Sequence, residues 1–214
     1  PLINFGQKSN KKILSDLSKK IISKKPDLVG FSCYMWNLDS FLKIIENIRK
    51  KMPSTKILLG GPEIATEYVQ NSHFDKYAID YCISGEGELT FLELLLHLEN
   101  SKPAITDIAG LSHRPNKNEV FIVNPKRQPF KSLSEIPSPF LRGIVDEDVL
   151  ARNGVEANLE TQRGCNLRCS YCIYHKDMDR VSYSEIKKII NEVRYVTKRG
   201  VKKIRFVDAN FSSN

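Results

Sequence analysis

Apolar residues recur at helical spacing over residues 10–25, where Ile13, Leu14, Leu17, Ile21 and Ile22 share one face. Pro26-Asp27 ends that stretch. Leu28-Val29-Gly30-Phe31-Ser32-Cys33-Tyr34 then reads as a short, mostly apolar strand. A second helix is predicted from about Asp39, its N-cap, through Phe41, Leu42, Ile44, Ile45 and Ile48 to Lys51. Lys56-Ile57-Leu58-Leu59 is a strand that stops at Gly60-Gly61-Pro62, and a helix follows over residues 63–70. Residues 79–84 form a third strand, closed by Gly85-Glu86-Gly87-Glu88, and a Leu-rich helix covers residues 89–98.

Strands alternating with helices at this spacing imply right-handed crossovers and a doubly wound, Rossmann-like (flavodoxin-like) parallel sheet. Ligands of such sheets sit beyond the carboxyl ends of the strands. Those ends carry Ser32 to Asn37, Gly60-Gly61-Pro62 and Gly85 to Glu88, so three loops of small or polar residues should meet at one edge. The pattern changes after residue 100. Residues 110–114 and 119–123 read as a β-hairpin turning at Asn116-Lys117-Asn118, and the Pro-rich stretch 132–139 as an extended connector. Beyond a boundary near residue 150, a strand over 157–161, a helix over 182–198 with Ile186, Ile189, Ile190, Val193 and Val196 inward, and a strand over 203–207 suit the start of an α/β barrel. Such barrels take roughly 200 residues or more. The expected organisation is therefore a sheet domain at 1–100, a hairpin linker at 101–150 and the first β/α units of a truncated barrel at 151–214. The chain is expected to be a fragment, cut at its C-terminus and at its N-terminus.

Composition narrows the classes. Hydrophobic residues are 41% of 214, enough for a packed core. No apolar run reaches the roughly 18–20 residues of a membrane span, and the first residues lack the pattern of a secretory signal. The net charge of +8 arises largely from lysines of the first helix, which read as a solvated face. Basic residues are not interleaved with aromatic ones as on RNA-stacking surfaces, which argues against a nucleic-acid partner. Five cysteines, three of them within eight residues, fit metal-bound thiols in a reducing cytoplasm better than a disulfide framework. Cys33 and Cys82 lie in apolar strands and read as small buried hydrophobes.

The crowded three are Cys165, Cys169 and Cys172, in a CxxxCxxC run. Three thiolates on one short loop can cap three irons of a [4Fe-4S] cubane and leave the fourth open to a ligand. Zinc is the competing occupant, with His175 as fourth ligand. The spacing, with Tyr171 before the last cysteine, closely resembles the radical SAM superfamily. That resemblance implies that the open iron chelates S-adenosylmethionine and that its reductive cleavage yields a 5′-deoxyadenosyl radical. It also implies an electron donor such as flavodoxin or ferredoxin. The run Phe206-Val207-Asp208-Ala209-Asn210-Phe211 is similar to a DxNF-like sequence in related enzymes, which makes Tyr171, Asp208 and Asn210 candidates for contacting S-adenosylmethionine.

The first hundred residues resemble the cobalamin-binding domain that precedes the barrel in one branch of that superfamily. The resemblance rests on residues 30–37, 59–63 and 84–88. It implies a cobalamin site formed by Ser32, Tyr34, Trp36, Asn37, Gly60, Gly61, Pro62, Glu63, Gly85, Glu86, Gly87 and Glu88, with Ser32 and the Gly pair clearing space for the nucleotide tail. No DxHxxG is present, so no axial histidine is named, and the sheet's expected first strand is missing. The implied activity is anaerobic, cytoplasmic, cobalamin-dependent radical chemistry on an unidentified small molecule. Methyl transfer to an unactivated carbon leads. Cyclisation or rearrangement, and a cobalamin- or metal-binding module without catalysis, are the alternatives.

Overall fold

A strand buried on both faces needs apolar residues at consecutive positions. Residues 57–59 meet that demand: Ile57 and Leu59 lie in one buried cluster and Leu58 in another. The computed structural model describes residues 10–71, 74, 76–116, 119–167, 169–172 and 180–211. The chain divides into two compact units, Pro1–Arg127 and Gln128–Asn214.

In the first unit the elements run α1 (Asn10–Ser23), β1 (Leu28–Ser32), α2 (Leu38–Lys51), β2 (Lys56–Gly60), α3 (Thr66–Gln70), β3 (Tyr81–Ile83), α4 (Glu88–Asn100), β4 (Leu111–His113) and β5 (Ile122–Val123). The sheet order is β1-β2-β3-β4-β5. β1, β2 and β3 are parallel, with Ser32 beside Gly60 and Leu59 beside Cys82. β4 and β5 extend the sheet antiparallel. Ile44, Ile45 and Ile48 of α2 pack with Leu14, Val69, Ile57 and Leu59 on one face, while Leu94 of α4 packs with Leu58, Tyr81, Ile83 and Leu111 on the other. Each such buried aliphatic side chain contributes about 1.5–3 kcal/mol. Helices on both faces of a mostly parallel central sheet make this an α/β, doubly wound unit.

Several boundaries differ from the sequence reading. The residue preceding α2 is Asn37, not Asp39: the Asn37 carbonyl accepts from Phe41 N at 3.0 Å. The helix expected over 63–70 begins only at Thr66. The hairpin strands are not a free linker segment, since β4 bonds to β3. Of the turn expected at 116–118, Lys117 and Asn118 lie outside the described residues.

The second unit contains the 3-10 turn Leu133–Glu135, α5 (Glu147–Leu150), β6 (Glu156–Leu159), β7 (Gln162–Arg163), β8 (Ser182–Tyr183), α6 (Ile186–Lys198) and β9 (Lys203–Phe206). β6 and β9 are parallel, with Leu159 opposite Phe206. Val196 of α6 packs with Leu150, Ala157, Leu159 and Val201, closing a small core over this strand pair. Residues 182–183, expected in the helix, instead form a two-residue antiparallel ribbon with β7. Ile186 and Ile190 are not inward but exposed, at 73% and 41%. Among the described residues, no helix is long and apolar enough to cross a membrane.

Candidate cofactor sites

Because β1, β2 and β3 are parallel, their carboxyl ends present three loops at one sheet edge. The first two are tied together by the backbone: Cys33 N donates to Gly60 O at 2.6 Å, and Glu63 N to Cys33 O at 3.2 Å. Gly61 has φ +99°, and a Cβ there would lie 2.7 Å from both Cys33 N and Cys33 O. Glycine is therefore required at 61 by the crossing of two chain segments. Gly60 differs. The nearest atoms to its Cβ would be those of Ile83 at 3.9 Å, an ordinary contact.

Ser32 is exposed at the end of β1. Beyond it, the rings of Tyr34 and Trp36 stack with centroids 4.7 Å apart, and Trp36 is 63% exposed. Asn37 is engaged by its own loop, its Oδ1 accepting from Tyr34 N at 2.8 Å and its Nδ2 donating to Ser32 O at 3.1 Å. Pro62 is exposed and Glu63 half-buried. In the third loop, Gly85 has φ +80° with open space around its Cβ position, and Gly87 caps α4. Glu86 is half-buried and Glu88 exposed. Ser84 was not singled out as a contact by sequence, yet its Oγ is buried without a hydrogen-bond partner among the described residues. An unpaired buried hydroxyl is costly, and one placed beside an open glycine turn suits a polar ligand group such as a nucleotide tail. Its only sequence signal is its place at the head of Ser84-Gly85-Glu86-Gly87-Glu88.

Cys33 and Cys82 are buried. Desolvation pushes the Cys33 thiol up to about 12 and raises that of Cys82 as well, so both stay protonated and act as apolar packing.

The cysteine loop rises from the other unit. Gly164 ends β7 at φ +97°, where a Cβ would fall 2.6 Å from the Arg180 carbonyl oxygen. Only glycine lets the chain leave the β7–β8 ribbon so close to its partner. Cys165, Cys169 and Cys172 are half-buried free thiols, and Cys172 N donates to Cys169 O at 3.0 Å. Tyr171 is 90% exposed, and its phenol is pushed up by a hydrogen bond with Cys169. Among the described residues no three ligating side chains close around a single metal ion. Three half-buried thiols on one loop could hold a cubane, in which each thiolate caps a different iron. His175 lies outside the described residues.

Asp208 and Asn210 follow β9 and reach back to this loop. Asp208 Oδ1 accepts from Thr161 N at 2.7 Å and Gln162 N at 3.1 Å, and its Oδ2 accepts from Thr161 Oγ1 at 2.5 Å. Asn210 Nδ2 donates to Asn166 Oδ1 at 3.1 Å, and its carbonyl accepts from Gln162 Nε2. Thr161, Gln162 and Gly164 were not singled out by sequence. Their partners lie far along the chain, so no local pattern marks them.

Comparison with known proteins assigns both parts. Residues 3–95 match the B12 binding domain family, and residues 159–214 match the radical SAM superfamily. The chain is thus a B12-binding domain followed by part of a radical SAM domain, and belongs among the cobalamin-binding radical SAM proteins. It is 30% identical over 193 residues to the cobalamin-dependent radical SAM methyltransferase TokK of Streptomyces tokunonensis, covering 87% of this chain and 28% of that protein. It is 27% identical over 192 residues to the 2-(S-pantetheinyl)-carbapenam-3-carboxylate methyltransferase of Streptantibioticus cattleyicolor, again over 87% and 28%. The solved structure of the cobalamin-dependent S-adenosylmethionine radical enzyme OxsB shares the fold at a TM-score of 0.68 and 19% identity, over 92% of this chain and 27% of that one. The chain therefore spans little more than a quarter of the length of these relatives.

Proposed function

We propose that this chain is the cofactor-holding part of a cobalamin-dependent radical SAM enzyme that transfers a methyl group to an unactivated carbon of a small molecule. The observation that carries this reading is the CxxxCxxC loop, released by Gly164 from the antiparallel β7–β8 ribbon, in a chain whose other unit presents an open glycine cradle. Cys165, Cys169 and Cys172 would hold the cluster, with Tyr171 beside them. Ser32, Gly60, Ser84 and Gly85 would receive the nucleotide tail of cobalamin, and Trp36, exposed and stacked on the half-buried Tyr34, offers a flat apolar surface to its ring. When bound, the cluster together with S-adenosylmethionine would supply a 5′-deoxyadenosyl radical, and cobalamin a methyl donor. Such chemistry needs an external one-electron donor, of the flavodoxin or ferredoxin kind, and a reducing, anaerobic cytoplasm. That two of the relatives are methyltransferases favours methyl transfer over cyclisation.

Full-length protein reconstituted anaerobically with iron and sulfide should take up about four irons per chain, and Ala at Cys165, Cys169 or Cys172 should each abolish uptake. Stoichiometric zinc in place of iron would overturn the assignment. If His175→Ala loses the metal, a three-cysteine, one-histidine zinc site replaces it. Mass analysis of small-molecule products for an added methyl group separates methyl transfer from cyclisation or rearrangement.

A further inference from the structure

Parallel pairing of β6 with β9 does not stop at the strand ends. Val207 N donates to Leu159 O at 2.9 Å, one step past the last paired residues, Leu159 and Phe206. At the next step the Asp208 carboxylate takes the place a main-chain carbonyl would occupy, accepting from Thr161 N and Gln162 N through one oxygen and from Thr161 Oγ1 through the other. Thr161 is held from its other side too, its carbonyl accepting from Ser184 N at 2.8 Å. Gln162 is buried and begins β7, and the chain then passes through Arg163 and Gly164 straight to Cys165. Arg163 is fixed by Glu160, Nε to Oε1 at 2.9 Å and Nη2 to Oε2 at 2.8 Å. Asn210 reaches past the glycine to Asn166, the residue after the first cysteine.

We infer that Asp208 is a positioning residue for the cysteine loop, acting through Thr161 and Gln162 rather than through contact with S-adenosylmethionine. This rests on the reading of Cys165, Cys169 and Cys172 as cluster ligands, and it changes the role expected of Asp208. Three donors on one carboxylate leave little of it to bind a ligand, and two are main-chain amides that fix the backbone four and three residues before Cys165. Charge-assisted hydrogen bonds of this kind are about twice as strong as neutral ones. Losing the carboxylate would let the loop's amino-terminal stem move and misplace its thiolates.

The test compares Asp208→Ala, Asp208→Asn and Thr161→Val in the full-length protein. An Asn side chain can keep all three bonds: its Oδ1 accepts from both amides, and its Nδ2 donates to a Thr161 hydroxyl turned to accept. After anaerobic reconstitution without S-adenosylmethionine, the Ala and Val variants should lose iron to a chelator several-fold faster than wild type. Their reduced clusters should give a shifted electron paramagnetic resonance spectrum, and Asp208→Asn should restore both properties. If Asp208→Ala has a wild-type spectrum and iron retention, and loses only the spectral change caused by adding S-adenosylmethionine, the carboxylate is a cofactor contact and the inference fails. Hydrogen exchange at the Thr161 and Gln162 amides in metal-free protein decides the clamp independently. Faster exchange in Asp208→Ala supports it, and unchanged exchange overturns it. Wild-type protein that takes up no iron would instead defeat the cluster reading, leaving the exchange result to stand alone.

Discussion

A side chain at Gly61 would strike the Cys33 backbone, whereas one at Gly60 would meet only Ile83, at ordinary contact distance. The two glycines therefore have separable consequences. Gly60→Val should fold as wild type yet crowd the cradle. Overpacking of about 1–3 kcal/mol corresponds to roughly five- to 150-fold weaker cobalamin binding by equilibrium dialysis. Gly61→Val should lower the melting temperature with or without cobalamin. A Gly60→Val protein that binds cobalamin as tightly as wild type would remove Gly60 from the site. The cysteine spacing and the three small-residue loops were legible in the sequence, because spacing and residue type suffice to mark them. The reason for Gly61 was not, since the obstructing atoms belong to Cys33, just past the end of a strand nearly thirty residues earlier. Asp208 was singled out in the sequence as a contact to S-adenosylmethionine, but its hydrogen-bond partners Thr161 and Gln162 lie beyond any local pattern.

Elements with strong periodicity were read well. The first three strands and the helices α1, α2 and α4 sit where apolar spacing puts them. Short, polar or long-range elements were not. Gln162–Arg163 and Ser182–Tyr183 have no apolar alternation to mark them, and they pair although far apart in the sequence. α6 lost its expected first turn to that ribbon. One ionic tie joins three elements of the first unit. Arg49 from the last turn of α2 donates to the Asp80 carboxylate just before β3, which also accepts from Ile57 N of β2 at 2.8 Å and Lys56 Nζ at 3.4 Å. Arg49 further donates from Nε to Ala78 O at 2.7 Å. The Arg49 and Asp80 side chains are only 9% and 8% exposed, so solvent screens the pair little. Removing one partner of a buried pair costs about 3–5 kcal/mol. Asp80→Ala should therefore lower the stability of the first unit by about that much in urea unfolding; a change below 1 kcal/mol would show that the tie behaves as an exposed pair does.

On the scale of the molecule, each unit has its own buried cluster, with the sheet core in one and the β6–α6–β9 core in the other. Loss of iron in one should leave the other's ligand site intact. Cys169→Ala in the full-length protein is expected to abolish iron uptake while binding cobalamin with wild-type affinity; parallel loss of cobalamin binding would mean that the units depend on one another. α4 also bears on the whole. Thr90 and Leu94 face the sheet, but Phe91, Leu92 and Leu95 are 40%, 51% and 40% exposed, an apolar arc broader than the sheet uses. The sequence showed this helix as rich in leucine, but periodicity alone could not say which leucines the sheet would leave uncovered.

The close approach of Gly61 to Cys33 also bears on descent. A lineage that abandoned cobalamin would be released from keeping Gly60 small, yet it would still have to thread one strand exit over another. Gly61 would persist in it as an architectural inheritance, while larger residues accumulated at position 60. With Gly60 receiving the nucleotide tail as proposed, the glycine pair as a whole would record ancestry, and only its first member the cargo. A descendant with a bulky residue before an unchanged Gly61 would be a scaffold that has outlived its original ligand.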